Sequence, residues 1–144
     1  MAYNVYSHAD CTFTLYHPDV GTCYLHQAGV GRVITSASGD LTSHVNTADG
    51  YIVVNKLKTT GGNVTVEVPQ NSIAEGFLRR WASWAKSCTN PNRIALGTLQ
   101  INDKASGFTT TCTGLSLRKA PDRTWDRTAT NLSYEFLATT ITEQ

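Results

Sequence analysis

One amphipathic helical pattern, about 72–88, stands between two long threonine-rich β-patterned stretches and limits the folds open to the chain. Ser72 at the N-cap with Glu75 three residues on reads as a capping box, in which side chains satisfy the amides left free at the first turn. Asn90-Pro91 closes the segment, because proline cannot continue a helix. At roughly 100° per residue, Ile73, Phe77, Trp81, Trp84, Ala85 and Cys88 fall on one side, and Glu75, Arg79, Ser83, Lys86 and Ser87 on the other. Two tryptophans and a phenylalanine need a large apolar partner, and only the flanking strands can supply it. The helix is expected to be a lid on a sheet.

The strands are legible by alternation. Cys11, Phe13 and Leu15 alternate with Thr12, Thr14 and Tyr16, followed by a turn at His17-Pro18-Asp19-Val20-Gly21 and a returning strand from Thr22 to Gln27. Gly29-Val30-Gly31 reads as a bend or bulge before a strand at Arg32–Ser36. Residues 35–50 are polar and too poor in large apolar side chains to build a core, so a mobile loop or a segment that awaits a partner is expected there. Tyr51–Leu57 resumes the β pattern, and Thr60-Gly61-Gly62-Asn63 carries a hairpin signal before the alternation of Val64, Val66 and Val68. A second hairpin is expected around Asn102–Gly107, between strands at 94–102 and 108–117. A charged loop spans Arg118–Arg127, and Leu132, Tyr134, Phe136 and Ala138 share one face of a last strand at 129–140. About seven to nine strands in meander order predict a mainly β fold, an antiparallel sandwich or barrel with one flanking helix.

With 144 residues the chain fits a single domain that buries roughly two-thirds of its unfolded surface. Within it, 1–9 reads as an N-terminal arm. Twelve basic residues against eleven acidic ones, net +1, argue against a dedicated nucleic-acid binder, which concentrates basic charge on one face. The four cysteines form no CxxC pair; Cys11, Cys88 and Cys112 sit at core-facing positions, which favours buried free thiols over two disulfides. The first residues lack the basic and apolar regions of a secretory signal, and no apolar run reaches membrane-spanning length. Folding in a reducing cytoplasm, with no membrane insertion, is the expectation.

No pattern carries catalytic chemistry. His8, His17, His26 and His44 fall in an arm, a turn, a strand end and a polar loop, without HxH or HExxH spacing, so solvated histidines rather than a metal site are expected. Gly29-Val30-Gly31 lacks the third glycine of a dinucleotide fingerprint. There is no GxSxG elbow or P-loop, and Asp40, Asp49, Asp122 and Asp126 lie in polar loops, not in an apolar cleft that would raise a carboxyl pKa. Neither a cofactor nor an enzymatic activity is expected. In the charged loop, Arg118, Lys119, Asp122, Arg123, Asp126 and Arg127 surround Trp125; self-paired surface ions are one reading, and a docking element is the other, since Trp and Arg favour contact hot spots.

The order of these features resembles the tail tube proteins of bacteriophages with contractile tails. The resemblance rests on His17-Pro18-Asp19-Val20-Gly21-Thr22, the Ala28-Gly29-Val30-Gly31 bend, and the segment from Ala48 through Tyr51 to Lys56. The helix with Trp81 and Trp84, and Leu117 to Arg123, complete it. It implies a small β-barrel or sandwich whose long hairpins join side by side into a ring-wide β-cylinder, in hexameric rings stacked into a hollow tube. The partners implied are other copies of the chain, a sheath, baseplate and tail terminator proteins, and a tape measure protein and DNA in the lumen. The location implied is the virion, with assembly in the host cytoplasm. Strand edges that would aggregate in a monomer are satisfied when a ring closes.

On that reading residues 35–58, with the strand to Val68, line the channel and make ring-to-ring contacts, and a threonine-rich face lets DNA pass with few fixed cations. Candidate contact residues are Asp40, His44, Asp49, Tyr51, Arg79, Arg80, Arg118, Lys119, Asp122, Arg123 and Trp125. An acidic lumen is usual for the family, whereas the net charge here is +1. The rivals are the tube of a related injection or secretion device, a monomeric β-sandwich binding module with exposed aromatics, and a hydrolase using scattered His and Asp residues.

Overall fold

A computed structural model describes residues 6–58 and 60–144. The first five residues of the expected arm lie outside the described residues, and the remainder leads into a 3-10 turn at His8–Asp10. Strand β1, Cys11–His17, buries Cys11, Phe13, Leu15 and also His17 on one face. Val20 N–H donates to the His17 carbonyl at 3.2 Å, and β2, Gly21–Tyr24, returns antiparallel with Leu15 opposite Cys23. The second strand is shorter than its sequence pattern: Leu25–Gln27 winds into a 3-10 turn that buries Leu25. The Gly29–Gly31 bend joins that turn to the next strand, and Gly31 N–H donates to the Glu67 carbonyl at 2.9 Å.

The strands that follow are β3 (Arg32–Ala37), β4 (Thr42–Asn46), β5 (Ile52–Lys56) and β6 (Gly62–Pro69). After helix α1 (Ile73–Ser87) come β7 (Gly97–Asp103), β8 (Thr109–Lys119), β9 (Asn131–Ala138) and β10 (Thr140–Glu143). Eight of these strands form one antiparallel sheet in the order β2-β1-β7-β8-β9-β6-β3, with β10 beside β8. Among the described residues the path ends at β2 and β3 without a further partner, so the sheet is open and the barrel form of the expectation does not occur.

A bend in β8 lets this sheet wrap a core. Leu115 faces Gly97 while Thr113 faces Thr98, which leaves Gly114 as an extra residue with φ +66. A Cβ there would collide with the Thr139 side chain, and only glycine adopts this conformation without penalty. Below the bulge β8 pairs with β7 and β10, and above it with β9. The two halves enclose Leu15, Val64, Val66, Val68, Leu99, Leu115, Tyr134 and Phe136.

Helix α1 covers this core as a lid. Ser72 caps it, its Oγ accepting from Glu75 N–H at 3.1 Å, but only half of the capping box forms, because the Glu75 carboxylate is engaged elsewhere. The buried face is rotated from the one expected. Ala74, Glu75, Phe77, Leu78, Trp81 and Ala82 are buried, whereas Ile73 is 76% exposed. Trp81 is fully buried, 5.1 Å from the Phe136 ring and 6.1 Å from Phe77. Removing a side chain of this size from water contributes about 4–6 kcal/mol at ~25 cal/mol/Å².

The cysteines are free, as expected, but the buried set is Cys11, Cys23 and Cys112. Cys88 is half-buried at the helix C-cap, with its Sγ donating to the Asn90 carbonyl at 3.2 Å. Burial, with Glu143 nearby, pushes the Cys112 thiol up to about 11.

Candidate assembly interface

The four strands from Arg32 to Pro69 form one long hairpin. β3 pairs with β6, from Arg32 opposite Glu67 to Ala37 opposite Gly62, and β4 pairs with β5, from Thr42 opposite Lys56 to Asn46 opposite Ile52. Thr60-Gly61-Gly62-Asn63 is therefore not a turn but part of the return limb, and residues 35–50 are not one loop: they hold the end of β3, β4, the link 38–41 between them and the hairpin tip at 47–50. Between the two paired regions, Leu57 N–H donates to the Leu41 carbonyl and Ser38 N–H to the Gly61 carbonyl, at 2.9 and 3.0 Å. Gly62 is required at this joint, since a Cβ would run into the Ser36 carbonyl. The tip turns through Thr47–Gly50, with Gly50 at φ +85 and Thr47 N–H bonded to the Tyr51 carbonyl at 2.9 Å.

From Arg32 to Asn46 the outgoing limb spans up to roughly 50 Å at ~3.3 Å per residue, longer than the strands of the core. Among the described residues β4 and β5 pair only with each other, and none of their residues is buried. Yet the ribbon is apolar on both faces. Val45 and Val53 stand opposite each other on one, and Ile52 and Val54 on the other, all about half exposed or more; Tyr51 at the tip is 74% exposed. A two-stranded ribbon with no covered face is marginal in water, and both of its edges present unpaired amides and carbonyls.

A second surface lies on the sheet face opposite α1. Arg32, Ile34, Ser36, Asn63, Thr65, Glu67, Ser133, Glu135 and Leu137 point there, because their neighbours in register face the core. Its arginines are matched to carboxylates: Arg32 to Glu67 at 3.1 Å and Arg118 to Glu135 at 3.6 Å.

The candidate contact residues divide into groups. Asp40, His44, Asp49 and Tyr51 come together on the ribbon and its link to β3. Arg118 and Lys119 are not in the loop but end β8. Asp122 and Trp125 are exposed in the segment 120–130, which has no regular structure. Arg123 turns inward. It and Arg79 both donate to Glu75 Oε1, which also accepts from the Tyr134 hydroxyl at 3.3 Å. Burial and the Glu75 charge push the Tyr134 phenol above its ordinary value. Arg80 lies over the Phe77 ring at 5.7 Å and has no carboxylate partner among the described residues.

Of the ribbon's apolar residues Tyr51 was among the candidates but Val45, Ile52, Val53 and Val54 were not, although the run Tyr51–Val54 carries no polar alternation and so signals a strand covered on both faces. Nor was the buried role of His17. Its ring packs 4.3 Å from Trp84 and 5.1 Å from Trp81, donates from Nε2 to the Arg93 carbonyl at 3.1 Å and accepts from Asp19 N–H at Nδ1. Burial pushes its pKa below the usual histidine value. Among the described residues no three His, Cys, Asp or Glu side chains are grouped to hold a metal, and no helix is long and apolar enough to cross a membrane.

An open antiparallel sheet with one lid helix and a protruding, uncovered hairpin defines the fold class. The same fold occurs in an anti-feeding prophage tube-terminating cap (TM-score 0.67, 10% identity, covering 100% of this chain and 93% of that one). It occurs also in the PVC extracellular contractile injection system, in a sheath–tube complex (0.63, 11%, 97% and 91%) and in a sheath/tube terminator (0.64, 10%, 100% and 99%). No curated protein sequence matches the chain. Residues 3–144 match the sequence model of the bacteriophage PhiTE tail tube protein, and the chain belongs to that tail tube family.

Proposed function

We propose that the chain is a structural, non-enzymatic subunit that closes into hexameric rings and that these rings stack into a hollow tube for DNA passage. The observation that carries this reading is the long hairpin with its uncovered ribbon. Val45, Val53, Ile52 and Val54 are left in water on both faces, and lateral pairing of ribbons from neighbouring subunits would satisfy their edges while axial contacts cover their faces. The sheet face opposite α1 suits the lumen, because Arg32 and Arg118 are already matched by Glu67 and Glu135 and leave few free cations for phosphates. α1 then lies on the outer side of the wall. A sheath around the tube, a terminator at its end and a baseplate below it fit the assemblies in which the similar folds occur, one of them a sixfold-symmetrised baseplate. A tape measure protein in the lumen, residence in the virion and assembly in the host cytoplasm complete the reading.

The experiment is negative-stain electron microscopy of the purified protein across concentration. Annular particles or tubes with a central hole are the expected result, and a monomer at high concentration overturns the reading. Deleting Ser38–Thr47, which removes β4, is expected to leave the sheet folded and abolish stacking; long tubes from this variant would remove the ribbon's role. A second reading, the tube of an injection device that encloses no genome, is favoured by the fold's occurrence in the tube and terminator of an extracellular contractile injection system. Nuclease-protected DNA in isolated particles separates the two.

A further inference from the structure

Helix α1 has an open trough on one flank and a clamped loop on the other. The trough, about 280 Å³, lies between β2 and the first half of the helix and is lined by Cys23, Tyr24, Ala28, Ile73, Phe77 and Arg80. Ile73 and Tyr24 are 76% and 54% exposed at its rim, and the Arg80 guanidinium lies over the Phe77 ring without a carboxylate partner among the described residues. This is an apolar slot with an unmatched cation at its mouth, about the size of one large side chain.

On the other flank, Arg123 is tied to Glu75, which fixes the base of the segment 120–130 against the helix. Two residues further on, Trp125 projects with 75% of its surface exposed, between the exposed carboxylates of Asp122 and Asp126. Among the described residues neither carboxylate is in an ion pair. An aromatic knob flanked by acids thus complements an apolar slot bearing an arginine, in charge and in chemistry. Helix periodicity puts Ile73, Phe77 and Arg80 roughly 150° around the axis from Glu75 and Arg79. One molecule therefore offers the knob and the slot on opposite flanks of the same helix.

We propose that Trp125 of one copy of this chain inserts into the β2–α1 trough of the next, its indole against the Arg80 guanidinium and Phe77 ring, with Asp126 pairing Arg80. The contact is heterologous, knob to slot, so it repeats around a ring and does not end at a dimer. The Arg123–Glu75 anchor holds the loop in place before binding and so lowers the ordering cost of the contact. This inference rests on the ring-forming reading above, and adds to the hairpin contacts a second, outer contact around α1.

The test uses the full chain. Trp125→Ala and Arg80→Glu are each expected to keep the monomer's circular dichroism and raise the critical concentration for assembly at least roughly tenfold. Restored assembly in Arg80→Glu combined with Asp126→Arg supports the pairing. Gln27→Cys with Thr124→Cys, treated with a short bismaleimide after assembly, is expected to give a ladder of covalent oligomers absent from either single variant. If wild-type tubes form but both single-charge and Trp125 variants assemble normally, or the ladder is missing, the contact is wrong and the tube reading stands. If the wild-type chain never assembles, both fall.

Discussion

The carboxylate of Glu75 lies against the guanidinium of Arg123, a residue 48 positions further along the chain, and only 2% of the Glu75 side chain meets solvent. Periodicity places Glu75 on the wet side of the helix. Its burial follows from three donors, Arg79, Arg123 and the Tyr134 hydroxyl, that converge on one oxygen and compensate its lost hydration.

Breaking this network is expected to be expensive. Arg123→Ala leaves a buried carboxylate with only Arg79, which is half in solvent, and Tyr134 as partners, and Glu75→Ala leaves Arg123 with the Tyr134 hydroxyl but no carboxylate. Each is expected to lower unfolding free energy by about 3–5 kcal/mol in urea titrations. Arg118→Ala, which breaks an exposed pair to Glu135, is expected to cost about 0–1 kcal/mol.

His17 makes stability depend on acid. Its folded-state pKa is depressed below the ordinary value by burial, so the neutral ring's contribution is fully present above pH ~6.5 and is lost as pH falls through the folded value. Protonation also puts a hydrogen on Nδ1, where Asp19 N–H now donates. The urea midpoint is expected to fall on going from pH 7 to pH 5 by more in wild type than in His17→Gln. Equal slopes in the two proteins would contradict this role.

Gly97 packs against the Trp81 indole so tightly that a Cβ would clash with the ring and with Leu115. Gly97→Ala is expected to destabilise the fold by about 1–3 kcal/mol through overpacking, seen as a lower melting temperature. Gly76, half-buried in α1 but with nothing within 4 Å of an added Cβ, serves as control, and Ala there is expected to stabilise α1 by about 1 kcal/mol.

Thiol reactivity separates the cysteines. Cys11, Cys23 and Cys112 are buried with raised pKa values, Cys112 to about 11, while Cys88 is partly exposed at the helix end. Brief alkylation of the native protein at pH 8, read by peptide mass spectrometry, is expected to modify Cys88 first, and all four in denaturant.

On the ribbon, stability and assembly are expected to come apart. Val45→Asp and Val53→Asp replace exposed side chains, so the monomer's unfolding free energy is expected to change by less than ~0.5 kcal/mol. Ring and tube formation, measured by sedimentation, is expected to be lost.

Local pattern was enough for much of this fold. The alternation at Cys11–Leu15, Val64–Val68 and Leu132–Ala138 identified core strands, since a half-buried strand must repeat every two residues, and Ser72 and Asn90-Pro91 bounded the helix through backbone rules that act within a few residues. Pairing is a different matter. That β3 closes on β6 and β4 on β5, turning a polar loop and a supposed turn into one protruding hairpin, depends on ladders between residues up to 35 apart. Burial of polar groups is likewise decided in three dimensions. His17 and Glu75 look like solvated residues in one dimension, because the Trp pair, the Arg93 carbonyl, Arg123 and Tyr134 that satisfy them come from distant segments. Short-range periodicity records which side of an element is wet, but only tertiary contacts determine which donors converge on a polar atom and which strand edges are left for another copy.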